Sequence, residues 1–140
     1  MAYNDDKSLL SILQDLVSVN LCSYKAYTHA AVIARAGYLR AIFDDLAKQR
    51  REFAEELTDE IRQRGGEPPS ECQGGLNGLQ AGSDRELLTL AADNEAEVFR
   101  RYQEALVLDL PLGLRAQLQL HFLDLLETSS RFNSMAPCAE

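Results

Sequence analysis

Apolar residues recur every three or four positions in four stretches of the chain, the spacing that places them on one face of an α-helix. The predicted helices span about residues 7–35, 38–64, 84–106 and 112–132. Gly37 separates the first two helices, and Asp109 with Pro111 separates the last two. Because such short connections make consecutive helices antiparallel, the pattern predicts two helical hairpins.

A long segment rich in glycine and proline, residues 65–83, lies between the second and third helices. At about 3.3 Å per residue it can return along the whole bundle, so the third helix is expected to run parallel to the second. Ser83 and Glu86 form the capping box that begins the third helix. Leu76 and Leu79 are expected to attach the crossover to the bundle. We therefore predict an all-α, up-down four-helix bundle in which residues 1–140 form one domain.

Two charged residues lie at the centre of apolar helix faces. Glu95 interrupts the apolar face of the third helix, and Arg50 interrupts that of the second. A buried carboxylate without a partner costs several kcal/mol. Each residue lies about 12 positions into its helix, so two parallel helices with a rise of about 1.5 Å per residue bring both to one depth. The sequence predicts a buried, two-pronged Arg50–Glu95 ion pair.

Polar residues on the inner faces of the other helices are expected to complete a hydrogen-bond network around this pair. They are Asn20, Tyr24, Tyr102 and Ser129. Two alternatives stay open at this stage. One is a residual single-metal site made by Glu95 and His121 with water, and the other is a pocket for a small ligand. His121 itself is expected to be partly buried and hydrogen-bonded, since it lies at the edge of an apolar face.

The overall charge excludes some partners. The chain has 22 acidic and 14 basic residues, a net charge of −8, which argues against binding to nucleic acid or to an anionic membrane surface. No apolar run approaches the ~20 residues of a membrane span. Three cysteines at unrelated spacings fit neither a disulfide framework nor a CxxC metal-binding motif. We therefore expect a reduced, cytoplasmic protein with Cys22 as a surface thiol.

The last helix carries apolar residues on its outer side as well. Leu120 and Leu123 point outward near Ala116. Paired outward leucines indicate a surface that is covered by a partner helix. We expect a homodimer that forms through the last helix.

Several motifs make the chain resemble a known family. These are LxDLVSVNxxSYxAY in the first helix, FxxLxxQRxEFAxEL and IRxxGGEP across the second, NEAEVFRRYQEAL in the third, and DLP before the fourth. They resemble the bacterial ferritin-like four-helix-bundle family of unknown function, stress-associated relatives of ferritins and rubrerythrins. The resemblance implies two iron ions held by a Glu from each of two helices and a Glu-x-x-His from each of the other two.

The residues needed for that metal site are mostly replaced in this chain. Arg50 and Phe53 stand where the second helix would carry Glu-x-x-His, and Ser129 stands where such relatives tend to carry histidine. Glu95 alone matches the pattern. We therefore predict a metal-free, non-enzymatic protein without a cofactor, a stress-related structural or interaction module. The alternative is an iron-binding protein with ferroxidase or storage activity at an atypical site.

Overall fold

The computed structural model describes residues 6–73, 81–135 and 137. Its four helices are α1 (Asp6–Ile33), α2 (Gly37–Gln63), α3 (Asp84–Leu106) and α4 (Leu112–Met135). No strand occurs among these described residues. The predicted helix ends lie within three residues of the observed ones. Leu76 and Leu79, which were expected to attach the crossover, lie outside the described residues.

Hydrogen bonds at one end of the bundle define the direction of α3. The Asp84 carboxylate at the start of α3 accepts from the backbone N–H groups of Arg35 and Ala36, each at 2.9 Å. Ala36 directly precedes α2, so α2 and α3 begin at the same end and run parallel. At this end Arg85 also donates to the carbonyl of Pro137, just beyond α4, at 2.8 Å. The helix α4 therefore returns antiparallel to α3.

The predicted cap of α3 is present. Ser83 Oγ accepts from the backbone N–H of Glu86 at 3.2 Å. The Glu86 carboxylate in turn accepts from the backbone N–H of Gly82 at 2.9 Å. These bonds satisfy donors that the first turn of a helix leaves without partners.

Two glycines turn the chain from α2 into the crossover. Gly65 has a φ of 78°, a left-handed conformation that disfavours other residues. Gly66 lies directly against α1, where an added Cβ would come within 2.7 Å of Leu10 Cδ2. The crossover therefore leaves α2 in close contact with α1.

A disulfide bond joins Cys22 of α1 to Cys72 of the crossover, which corrects the expectation of reduced cysteines. Cys22 is also only 3% exposed, so it is not the surface thiol that the helical pattern predicted. The prediction was wrong because it considered only neighbouring helices. The surface that buries this side of α1 belongs to the crossover, whose path a helical pattern does not reveal.

The core consists of two apolar clusters, one towards each end of the bundle. The change from one cluster to the other falls at Asn20 in α1, Arg50 in α2 and Glu95 in α3, all of which are buried. Polar side chains thus occupy the middle of the bundle, where all four helices could contribute to a site.

The outer face of α4 is apolar. Leu120 and Leu123 are 66% and 60% exposed, and Ala116 is exposed beside them. Leu126, also on this helix, is 44% exposed and extends this surface. In the part of the chain that the structure describes, no helix is both long and apolar enough to cross a membrane.

Candidate functional site

An arginine–glutamate pair lies in the middle of the bundle. Arg50 Nη1 donates to Glu95 Oε1 at 2.8 Å, and Nη2 donates to Oε2 at 2.6 Å. Both side chains are fully buried, with an exposed fraction of 0%. The guanidinium N–H on Nε donates to Gln49 Oε1 at 3.1 Å. The planar fork of the arginine therefore covers both oxygens of the carboxylate.

Tyr27 completes this arrangement from α1. Its hydroxyl donates to Glu95 Oε1 at 2.6 Å, and its ring centroid lies 5.5 Å from Arg50 Cζ, within cation–π range. Burial raises the pKa of Tyr27 well above its usual value, and the adjacent Glu95 raises it further. Burial would lower the pKa of Arg50, but Glu95 more than offsets this and raises it overall. We call Tyr27, Gln49, Arg50 and Glu95 the ion-pair group.

Two of the residues expected around the ion pair are not brought into it. Tyr24 is half-buried and faces Arg51, whose Cζ lies 5.8 Å from the ring centroid. Ser129 is also half-buried, and the neighbouring Thr128 takes the buried position and donates to the carbonyl of Asp124 at 3.0 Å. At Ser129 the predicted inner face was therefore one residue out of phase.

A second group of buried polar residues forms a hydrogen-bonded chain from α1 to the surface of α2. Asn20 Nδ2 donates to the Tyr102 hydroxyl at 2.8 Å. That hydroxyl lies 2.8 Å from His121 Nδ1, and His121 Nε2 lies 2.8 Å from Glu56 Oε1. Asn20, Tyr102 and His121 are buried, whereas the side chain of Glu56 is 51% exposed. We call these four residues the histidine chain.

The protons of this chain can be assigned from its bonds. Because the Tyr102 oxygen accepts from Asn20, its own hydrogen is left for His121 Nδ1. The hydrogen on Nε2 then points to the Glu56 carboxylate. Burial lowers the pKa of His121 below its usual value, although Glu56 opposes the shift, so the imidazole is neutral at pH 7. Burial raises the pKa of Tyr102, although the bond from Asn20 opposes the shift, and the phenol keeps its proton.

Phe53 lies between the two groups. Its ring stacks on His121 with centroids 3.8 Å apart, and its centroid lies 6.0 Å from Arg50 Cζ. In the position where the family pattern would have a metal-binding histidine, this chain therefore has an apolar ring that packs against both polar groups.

The residues present do not fit a di-iron centre. Both oxygens of Glu95 are bonded to the Arg50 guanidinium, whose charge repels a second cation. Among the described residues, no group of three or more His, Cys, Asp or Glu side chains is arranged to hold a metal ion. Asn20 Oδ1 and Ser23 Oγ are buried without a hydrogen-bond partner among those residues. Both are neutral oxygens, so they add no negative charge to balance an iron ion.

The two residues considered for a residual metal site belong to different groups. Glu95 is engaged by Arg50 and Tyr27, and both ring nitrogens of His121 are engaged in the histidine chain. His29, the other histidine, is exposed.

Sequence reasoning missed two partners of these groups. Tyr27 was not included in the predicted network, although its position seven residues after Asn20 indicates the same side of α1. Glu56 was not included either. Its spacing of three residues from Phe53 was the signal that it could reach the same neighbour on α4.

Solved structures define the class of this fold. The chain superposes on a ferritin-like, di-iron carboxylate protein of Bacillus anthracis str. Ames with a TM-score of 0.82 and 21% identity, covering 97% of this chain and 99% of that one. The dodecameric, bacterioferritin-related thioferritin of Bacteroides fragilis gives 0.84 and 18%, covering 93% and 84%. A conserved hypothetical protein of Mycobacterium tuberculosis gives 0.83 and 16%, covering 95% and 94%. The protein is a ferritin-like four-helix bundle.

The sequence also matches one family model. Residues 8–107 match the family described as "Domain of unknown function (DUF2383)". Since that match covers more than half of the chain, the protein belongs to this family. No curated protein matches the sequence.

Proposed function

We propose that this protein is a metal-free ferritin-like protein in which the Arg50 guanidinium takes the place of the metal, and that it acts as a non-enzymatic interaction module. The observation that carries the proposal is the two-pronged, fully buried contact between Arg50 and Glu95. A cation fixed at these oxygens removes the negative charge on which iron binding depends.

Iron uptake tests this proposal. The protein is purified without chelators, incubated with Fe(II) in air and analysed for retained iron, while ferric absorbance is followed against buffer. A bacterioferritin treated in parallel is the positive control. We expect no retained iron and no acceleration of oxidation. Stoichiometric iron with accelerated oxidation would instead favour an iron-binding protein with ferroxidase or storage activity.

One variant tests the effect of the guanidinium alone, without changing the other residues of the site. Arg50→Gln removes the cation and leaves Glu95 and the histidine chain in place. If the cation is what prevents binding, this variant should take up more divalent metal than the parent. Arg51→Gln, on the exposed side of the same helix, is the matched control and should behave as the parent does.

The second part of the proposal is self-association through α4, as a homodimer. Ala116, Leu120 and Leu123 are spaced by four and three residues, so they form one exposed apolar stripe along the helix. Two copies of such a stripe pack against each other as antiparallel or parallel helices. Self-association is also a property of the Bacteroides fragilis neighbour, which is dodecameric.

Light scattering combined with size-exclusion chromatography tests this surface. The parent is expected to have the mass of two chains, and Leu120→Asp/Leu123→Asp that of one. Val32→Asp changes a side chain that is 76% exposed on α1 and should leave the dimer intact. A parent that stays monomeric at high concentration would contradict the dimer.

The proposed setting is the cytoplasm, with the stress association that the family resemblance implies. Nucleic acid and membranes are not expected partners, because the net charge is −8. The partner that the module recruits, beyond a second copy of the chain, would be sought at the α4 surface.

A further inference from the structure

The disulfide between α1 and the crossover lies apart from both polar groups of the bundle, and its two cysteine residues differ in exposure. Cys22 is buried, with 3% of its surface exposed, whereas Cys72 is half-buried. Thiol–disulfide exchange requires a thiolate to reach one sulfur directly. An attacking thiol therefore reaches the Cys72 sulfur first.

A cleft of about 310 Å³ opens beside this bond. Cys72 and Glu71 line it from the crossover, and Tyr24 and Lys25 line it from α1. Its volume is that of a small-ligand site, which typically measures ~300–1,000 Å³. Lys25 adds a positive charge that attracts the thiolate form of an incoming thiol, and the negative charge of Glu71 on the crossover side opposes this attraction.

We propose that Cys22–Cys72 is a thiol–disulfide exchange site that admits an anionic low-molecular-weight thiol through this cleft, and that its reduction releases the crossover from α1. The proposal does not depend on whether the bundle binds metal. In a cytoplasmic protein, a disulfide of this kind is typically a transient or redox-sensing bond.

The reduction of the disulfide proceeds in two exchange steps. In the first, the thiolate of the small thiol attacks Cys72 Sγ, the Cys22–Cys72 bond breaks, and its electron pair goes to Cys22 Sγ, which takes up a proton. In the second, another thiolate attacks the sulfur of the bound small thiol and expels Cys72 as a thiolate. Two small thiols are oxidised to one disulfide, and two cysteines are reduced.

Two hydrogen bonds also join this part of the crossover to α1. Gln14 Nε2 donates to the carbonyl of Glu67 at 2.9 Å, and Ser18 Oγ accepts from the backbone N–H of Gln73 at 3.1 Å. Both bonds are exposed, so water competes for their donors and acceptors. Loss of the covalent link should therefore free residues 67–73 before it disturbs the helices.

The test uses the folded protein with Cys138→Ser, so that Cys22 and Cys72 are its only cysteines. It is equilibrated with mixtures of reduced and oxidised glutathione, trapped by alkylation and analysed by peptide mass, and hydrogen exchange is measured on the same samples. We expect a glutathione adduct on Cys72, then two thiols, with exchange at residues 67–73 rising by about tenfold or more. Exchange in the middle of α2 should not change.

Three results would overturn the proposal. They are a disulfide that glutathione reduces only after denaturant is added, an adduct on Cys22 in place of Cys72, and exchange at residues 67–73 that is the same in both redox states. Cys72→Ser in the same background provides a second measurement, because it removes the link without removing buried Cys22. It should show the fast exchange of the reduced protein in every buffer, and slow exchange would also contradict the release.

Lys25→Gln tests the cleft itself. It should slow the reaction with glutathione by about two- to fivefold and the reaction with 2-mercaptoethanol by less, because both react as thiolates but the glutathione thiolate carries more negative charge. Lys48→Gln removes an exposed lysine of α2, which does not line the cleft, and is the matched control. An equal rate for Lys25→Gln and the parent with glutathione would exclude this route of entry.

Discussion

The ion-pair group and the histidine chain share the middle of the bundle, but they end in different surroundings. In the ion-pair group, charge is balanced entirely inside the protein, because Arg50 and Glu95 are both fully buried. In the histidine chain, neutral Asn20, Tyr102 and His121 lead outward to a carboxylate, Glu56, of which half is exposed.

This difference shows where each group can respond to its surroundings. A charge pair that is sealed from water is sensitive to the loss of either partner, since the remaining charge has no solvent to stabilise it. A chain that ends at the surface can exchange protons with solvent and be re-solvated at its outer end. We therefore expect substitutions in the ion-pair group to act mainly on stability, and those at the outer end of the histidine chain, at His121 and Glu56, to act mainly on the dependence of stability on pH.

The largest expected effect is that of Arg50→Ala. It leaves Glu95 buried without its cation, which should lower the free energy of unfolding by about 3–5 kcal/mol. For a chain of this length, that corresponds to a melting temperature lower by about 10–17 °C. Urea unfolding followed by circular dichroism measures both the free energy and any change in cooperativity.

Two further variants determine whether the uncompensated charge of Glu95 causes the loss of stability in Arg50→Ala. Arg51→Ala, at the exposed neighbouring position, should change stability by less than about 0.5 kcal/mol. Arg50→Met/Glu95→Leu removes both charges and should recover most of the loss, because apolar pairs often replace buried ion pairs at little cost. A double variant as unstable as Arg50→Ala would mean that packing, and not the orphaned carboxylate, dominates.

An intermediate effect is expected for Tyr102→Phe. The change keeps the ring but leaves Asn20 Nδ2 and His121 Nδ1 without this partner inside the core. Buried groups that lose a partner typically cost about 1–3 kcal/mol. Tyr24→Phe, in which the ring is half-buried and outside both groups, is the control and should unfold at the parent's urea concentration.

The fold was predictable because it depends on local patterns. Apolar periodicity gave helices whose ends lie within three residues of the observed ones, and the cap formed by Ser83 and Glu86 is present. The motifs that resemble ferritin-like proteins led to the same bundle, which the solved structures show independently. Each of these signals can be identified within one helix or at its end.

The site was predictable only in part, for a physical reason. Arg50 and Glu95 stand out because a charge on an apolar face has few explanations. Ser129 was chosen over Thr128 because helical phase accumulates error along a helix of more than 20 residues. Tyr24 was chosen over Tyr27 because a helical pattern does not show which of two tyrosines on one side of a helix reaches Glu95. The Cys22–Cys72 bond could not be predicted, since it depends on the path of an irregular segment.

A smaller effect is expected on the pH dependence of stability, through His121. Burial lowers the pKa of His121 below its usual 6.5 in the folded protein, so the unfolded chain binds a proton at a higher pH than the folded chain does. The contribution of His121 to stability is complete above about pH 6.5 and is lost as the pH falls from there through the folded pKa. His121→Gln should therefore lose less stability than the parent between about pH 7.5 and pH 5. His29→Gln, at an exposed position, should lose as much as the parent.

The smallest effect at neutral pH is expected for Glu56→Gln. This variant changes only the exposed end of the histidine chain and leaves its buried residues in place. The amide oxygen still accepts from His121 Nε2, and the side chain is half exposed, so the change at pH 7 should be below about 1 kcal/mol. Without this carboxylate, however, only Asp124 still opposes the effect of burial, and the pKa of His121 falls further. The window in which acid removes stability then extends to lower pH, so the variant should lose more stability than the parent at about pH 5. Urea midpoints at both pH values measure this, and NMR titration of the His121 ring gives the pKa directly. A pKa of His121 that rises in Glu56→Gln would show that the carboxylate does not face the ring in solution.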